Sequence, residues 1–191
     1  PVAWGLAFSA EEEAASRAFF DGLGGRPAAA LVVASANPKK DWAPERYAEL
    51  ADALERDLGF RVLLLGGPSP REREAVDRIL RAATTRPVDA LAASVRTLMG
   101  RLRGSALVVA PDTGPLHLAH AMGVPVVGLF GHTNPWRVGP WRAFRDLVVD
   151  RYTDPGDEPD PSAYLPREGR MDAITVDDVL EKVELARCHH L

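Results

Sequence analysis

The stretch "VVAPDTGPLHLAHAMGVPVVGLFG", residues 108–131, decides how this chain is read. Its two ends are short runs of aliphatic and β-branched residues without polar alternation, the pattern of strands buried on both faces. Between them "PLHLAHAMG" supplies about two helical turns and closes on Gly123, a favoured helix stop. Strand, helix and strand within 24 residues make a βαβ crossover, which commits the sheet to parallel strands. The first strand hands over to the helix at Asp112-Thr113-Gly114-Pro115, with His117 just behind. An acid, a hydroxyl, a glycine and a histidine gathered there call for a chemical reason.

The same alternation extends outward in both directions. Ser9 and Glu12 form a capping box for a helix over "AEEEAASRAFFDGLGG", and its closing glycines are a helix stop. "AAALVVASA" (28–36) reads as a buried strand, "NPKKDWA" as a loop, and Pro44 opens a helix that Gly59 ends. "FRVLLLGG" is a second strand, followed by a turn at Pro68–Pro70 and a helix from Arg71. "SVRTLMGRLRGS" is a helix, and "ALVVAP" (106–111) and "PVVGLFG" (125–131) are strands. "RYTDPGDEPDPSAYLPREGR" (151–170) has no period and reads as an exposed, mobile acidic loop. "TVDDVLEKVELARC" is a closing helix with Thr175 as N-cap. The predicted fold class is α/β: a Rossmann-like, doubly wound parallel sheet.

Composition narrows the function. With 191 residues, 46% hydrophobic and 26% charged, the chain can bury a full core and is neither disordered nor fibrous. A net charge of −4 gives nucleic acid no footing as a partner. Charge is nonetheless uneven: residues 71–103 hold eight Arg against four acids, and residues 150–184 hold eleven acids against four bases. The lone Cys188 forms no internal disulfide and fits a reducing compartment. No apolar run approaches the roughly 18 residues of a membrane span, so the expected localisation is cytoplasmic. His120 is expected to pack on its helix, and His189 and His190 to fray at the chain end.

In a doubly wound sheet, ligands sit beyond the carboxyl ends of the strands, which draws loops 35–43, 66–70, 111–115 and 131–140 together. At "PDTGP", two readings stand. The helix N-terminus with Gly114 is an anion site suited to a phosphate, with His117 able to donate to it or to protonate a leaving group. Alternatively Asp112 or Thr113 simply caps the helix and His117 packs nearby. Lys39 and Lys40, two of only three lysines, can neutralise a diphosphate or merely be solvated. Gly66 and Gly67 leave room for a base or ribose, or make a tight turn. His132, Thr133 and Arg137 reach the same edge, while Trp136 and Trp141 are expected to pack. "GLGG" at 22–25 follows a helix and is no dinucleotide fingerprint, and neither a P-loop nor a zinc spacing occurs.

Taken in order, "KDWAPERYAELADAL", "LLLGGP" and "APDTGPLHLAHAMGVPVVGLFGHTNPWRVGPW" resemble the C-terminal half of the ADP-heptose:lipopolysaccharide heptosyltransferases, glycosyltransferase family 9. The resemblance continues to "ITVDDVLEKV" and covers about residues 5–185, with Asp-Thr-Gly-Pro-x-His-Leu-Ala its most specific part. It implies a GT-B architecture of two Rossmann-like domains facing a cleft, with the nucleotide sugar held mainly by the C-terminal one. It implies that Lys40 meets the diphosphate and that Asp112, Thr113, Gly114 and His117 surround the diphosphate and sugar, with no metal or other cofactor required. The implied organisation is a linker and leading helix (1–25), a donor-binding domain (26–150), and the acidic loop with its helix (151–191).

The resemblance further implies a lipid-linked saccharide acceptor held by an N-terminal domain, at the cytoplasmic face of the inner membrane. The catalytic base belongs to that domain, so no residue of this chain is assigned as the base. A chain beginning with Pro1 is expected to bind ADP or an ADP-sugar without turning it over. Three departures bear on sugar and acceptor. Ser69 and Pro70 stand where relatives carry an acid, with Glu72 as a substitute; "ASANPKK" replaces "PGA"; and the late loop lacks the cysteines of some members. A GT-B epimerase or hydrolase, and a non-catalytic module whose corner only caps a helix, are the alternative readings.

Overall fold

The computed structural model describes residues 4–140 and 142–191. Among the described residues, six parallel strands run β1 (Ala28–Val32), β2 (Arg61–Leu65), β3 (Val88–Asp89), β4 (Leu107–Pro111), β5 (Val126–Phe130) and β6 (Val148–Asp150). Their spatial order is β3-β2-β1-β4-β5-β6, with β1 pairing β2 on one side and β4 on the other. This is the doubly wound order whose direction reverses between β1 and β4. The expected α/β class and parallel sheet are therefore what the chain adopts.

Among the described residues, five α-helices fill the connections, α2 (Pro44–Arg56), α3 (Pro70–Ala82), α4 (Val95–Arg103), α5 (Gly114–Ala121) and α6 (Pro135–Val138), while α1 (Ala10–Asp21) precedes β1 and α7 (Val176–His189) follows β6. Right-handed crossovers run outward from the reversal in both directions and so place helices on opposite faces of the sheet. Accordingly α2 packs on α3 and α7, while α4 packs on α1 and α5. Strands β1, β4 and β5 are buried along their whole length, which is why they read as continuous apolar runs. Trp42 anchors the start of α2: its indole Nε1 donates to the Ile174 carbonyl at 2.9 Å and its ring meets Tyr47 edge-on. Tyr47 in turn donates to the Val32 carbonyl at 2.8 Å, fixing α2 against the end of β1.

Several local readings need correction. The first strand stops at Val32 rather than running to Ala36, because Ser35 and Asn37 turn the backbone: Ser35 Oγ donates to the Asn37 carbonyl at 2.6 Å and accepts from its N–H at 3.2 Å. β3 and β6, of two and three residues, have too short a period to show in sequence. His190 is not frayed; its Nε2 lies 3.0 Å from Asp146 and its ring packs on Phe144. Trp141, expected to pack, lies outside the described residues. The acidic segment after β6 carries no strand or α-helix before α7, yet it is tied down along its length. Tyr152 Oη donates to the Leu165 carbonyl, Asn134 Nδ2 donates to the carbonyls of Asp160 and Ala163, and Arg167 and Arg170 pair with Asp154.

Candidate functional site

Where the sheet reverses direction, the loops after β1 and β4 part and leave a cavity of 410 Å³. Its walls are Ala34–Asn37 and Lys40 from the first loop, and Asp112–Pro115 with His117 from the second, with Glu72 of α3 at one side. Lys40, Asp112, Thr113, Gly114 and His117 thus meet in one pocket, drawn together across 72 residues by a single parallel pairing of β1 with β4.

Asp112 is the hub. Its carboxylate accepts from Lys40 Nζ at 2.7 Å and Thr133 Oγ1 at 2.9 Å, and lies 3.4 Å from His117 Nε2. Burial opposes its charge, but the hydrogen bonds from His117, Lys40 and Thr133 prevail and hold its pKa at about 2. Asp112 is therefore a fixed negative charge that orients a lysine and a histidine, both of which line the pocket. His117 is half-exposed, within reach of an entering ligand.

The capping alternative fails on geometry. Thr113 stands at the N-cap position of α5, yet no side chain caps that helix. Asp112 faces Lys40, and Thr113 Oγ1 points backwards, donating to the Pro111 carbonyl at 3.1 Å. The first-turn N–H groups of α5 thereby have no side-chain cap, and the positive end of the helix dipole lies behind them. A Cβ at Gly114 would meet no atom within 4 Å, so protein packing does not require a glycine there. Open space above an uncapped helix start is what a phosphate needs to approach the backbone closely.

Gly66 and Gly67 do not line the cavity; Glu72 does. The Glu72 carboxylate accepts from Gly67 N at 2.6 Å and from the Ser69 hydroxyl at 2.5 Å, as part of a capping box with Ser69. A side chain at Gly66 would strike Glu72 and Leu91 at about 3 Å, so this glycine makes room for Glu72. Lys39 turns away from Lys40 and pairs with Glu168. Arg137 lies exposed on α6, and Trp136, expected to pack, is exposed as well, with the Arg145 guanidinium 3.9 Å from its ring centroid. Ser35 and Asn37 were missed in sequence because nothing in their types separates a cavity wall from an ordinary turn. Thr133 could be placed at the edge, though its bond to Asp112 could not. Among the described residues, no cluster of three or more His, Cys, Asp or Glu is arranged to hold a metal ion, and no helix is long and apolar enough to cross a membrane.

The fold is that of one half of a GT-B glycosyltransferase. The chain matches glycosyltransferase family 9 (heptosyltransferase) over residues 1–155, and it belongs to that family. It is 31% identical over 166 residues to the lipopolysaccharide core heptosyltransferase OpsX of Haemophilus influenzae, a match covering 85% of this chain and 47% of that protein. Among solved structures it resembles a family 9 glycosyltransferase of Veillonella parvula, with a TM-score of 0.79 and 25% identity over 94% of this chain and 52% of that one. It also resembles the ADP-heptose lps heptosyltransferase II of E. coli, with a TM-score of 0.74, 26% identity and the same coverage. The chain spans about half the length of these relatives.

Proposed function

We propose that this chain is the donor-binding half of a heptosyltransferase-type enzyme, holding the diphosphate of an ADP-sugar between Lys40 and the start of α5. The observation that carries the reading is the uncapped α5 N-terminus, facing the same cavity as a lysine oriented by a partly buried acid. The E. coli relative's description as an ADP-heptose heptosyltransferase supports adenine and a heptose or related sugar. Residues 26–150 form the donor domain on this reading, with 1–25 as its lead-in and 151–191 folded back against it.

In the reaction, negative charge builds on the departing nucleoside diphosphate as its bond to the sugar breaks. Lys40 and the α5 N–H groups stand preorganised to receive that charge, and His117 can donate to a phosphate oxygen. On this reading they supply the positive field without a metal. The base that activates the acceptor hydroxyl, and the lipopolysaccharide-type acceptor itself, fall to the other half of the enzyme. The work is then cytoplasmic, at the inner-membrane face where such an acceptor is exposed.

The test is a calorimetric titration of the chain with ADP, GDP and UDP, repeated on Lys40→Ala and His117→Ala. Binding of ADP that weakens in both variants supports the reading. Binding insensitive to both, or absent altogether, sinks it.

A further inference from the structure

The loop after β5 backs the pocket through two consecutive residues. Thr133 holds Asp112, as described above. His132 is buried, 5% exposed, does not line the cavity, and meets its wall at Asn37. Its Nδ1 lies 2.9 Å from the Arg167 carbonyl and its Nε2 lies 3.4 Å from Asn37 Nδ2.

These partners select between the imidazole's two tautomers. A carbonyl only accepts, so Nδ1 carries a proton. The Asn37 amide is oriented by its other end, where Oδ1 accepts from Lys39 N at 3.1 Å. Its Nδ2 therefore faces the ring, and an amide NH2 only donates, so Nε2 accepts. Both contacts are met by one tautomer, with the proton on Nδ1, and the other tautomer would set N–H against N–H.

We propose that His132 is a positioning residue for the diphosphate site: through Asn37 it holds the turn that presents Lys40. This rests on the diphosphate reading above. Asn37 is the N-cap of the short 3-10 turn Pro38–Lys40, and its carbonyl accepts from Lys40 N at 2.9 Å. Loosening Asn37 therefore shifts Lys40 against Asp112 and the ligand. The rival role for His132 is to pin the tail segment at Arg167, whose own N–H donates back to the His132 carbonyl at 2.9 Å.

Two substitutions separate these roles, because each keeps one contact. His132→Gln can place an accepting oxygen near the Nε2 position for Asn37 but has no donor for Arg167. His132→Asn keeps a donor near the Nδ1 position and loses the acceptor for Asn37. In ADP titrations of the full chain, His132→Asn and Asn37→Ala are expected to weaken binding about five- to tenfold, and His132→Gln to stay near the unmodified value. The reverse order, equal losses in both, or no loss in either overturns the proposal. The 15N spectrum of the imidazole in the unmodified, ligand-free chain must show Nδ1 protonated and Nε2 bare, and any other assignment also overturns it. Absent ADP binding, or binding indifferent to Lys40→Ala, brings down the diphosphate reading and this inference with it. A loss at Lys40→Ala without one at His132→Asn brings down the inference alone.

Discussion

Helices α3 and α5 both begin at the carboxyl edge of the sheet, each a few residues after a buried strand, and both carry proline in the first turn. Their N-termini are treated in opposite ways. Ser69 and Glu72 close the α3 start with a reciprocal capping box, and Glu72 extends its reach to Gly67. The α5 start has Thr113 in the capping position and Asp112 beside it, yet neither is used for capping. Asp112 is drawn off by Lys40, His117 and Thr133, and Thr113 bonds backwards. A residue type able to cap is therefore no evidence of a cap. What distinguishes a structural helix start from a binding one is where competing partners send the side chain.

The sharpest break of this contrast is Lys40→Ala, which removes the cation opposite α5. ADP affinity is expected to fall about ten- to a hundredfold in a calorimetric titration, since a partner of a half-buried charge pair is lost. Gly114→Ala is expected to cost about tenfold in ADP affinity by crowding the phosphate. The same change should leave the melting temperature level or higher, because the new methyl meets nothing within 4 Å. A parallel fall of both quantities would mean that the glycine serves the fold.

The two capping positions should separate in thermal melts. Ser69→Ala is expected to lose about 1 kcal/mol of stability, the usual worth of a cap, and Thr113→Ala only a few tenths. Equal losses would erase the distinction between the two helix starts.

Asp112 adds a pH test. Its folded pKa lies at about 2, below the ordinary value of 3.8, so the stability it contributes is complete above about pH 4 and is lost as pH falls towards 2. Urea melts across that window should show a shallower acid decline for Asp112→Asn than for the unmodified chain. An unchanged slope would show that the carboxylate is not held as described.

Most of the architecture could be read from the chain because β1, β2, β4 and β5 are apolar runs of four or five residues set between helices. Ser9 with Glu12, and Thr175, cap where their spacing says they should. β3 and β6 escaped because two or three residues cannot display a period, and their pairing is set by neighbours distant in sequence. The corner residues Lys40, Asp112, Thr113, Gly114 and His117 were legible because strand order alone carries them to one edge. The roles of Asn37, Thr133 and Glu72 were not, since they depend on which side chains meet across loops. Composition likewise describes 151–170 as exposed and acidic, but cannot report that Tyr152, Asp154 and Asn134 tether it.

The ion pair between Lys40 and Asp112 has a kinetic consequence. Lys40 meets its counter-charge inside the protein, and Glu72 adds a second negative charge to the cavity wall. Before any ligand arrives the formal charges in the pocket wall therefore leave no positive excess beyond the α5 dipole, and the chain as a whole carries −4. An anionic nucleotide is not steered in from a distance. Its association rate should sit in the unassisted range of about 10⁵–10⁷ M⁻¹s⁻¹ and change little with ionic strength. Selectivity among cellular anions must then arise after encounter, in how long each remains, because only a ligand that fits the α5 start and the lysine together can compensate both at once.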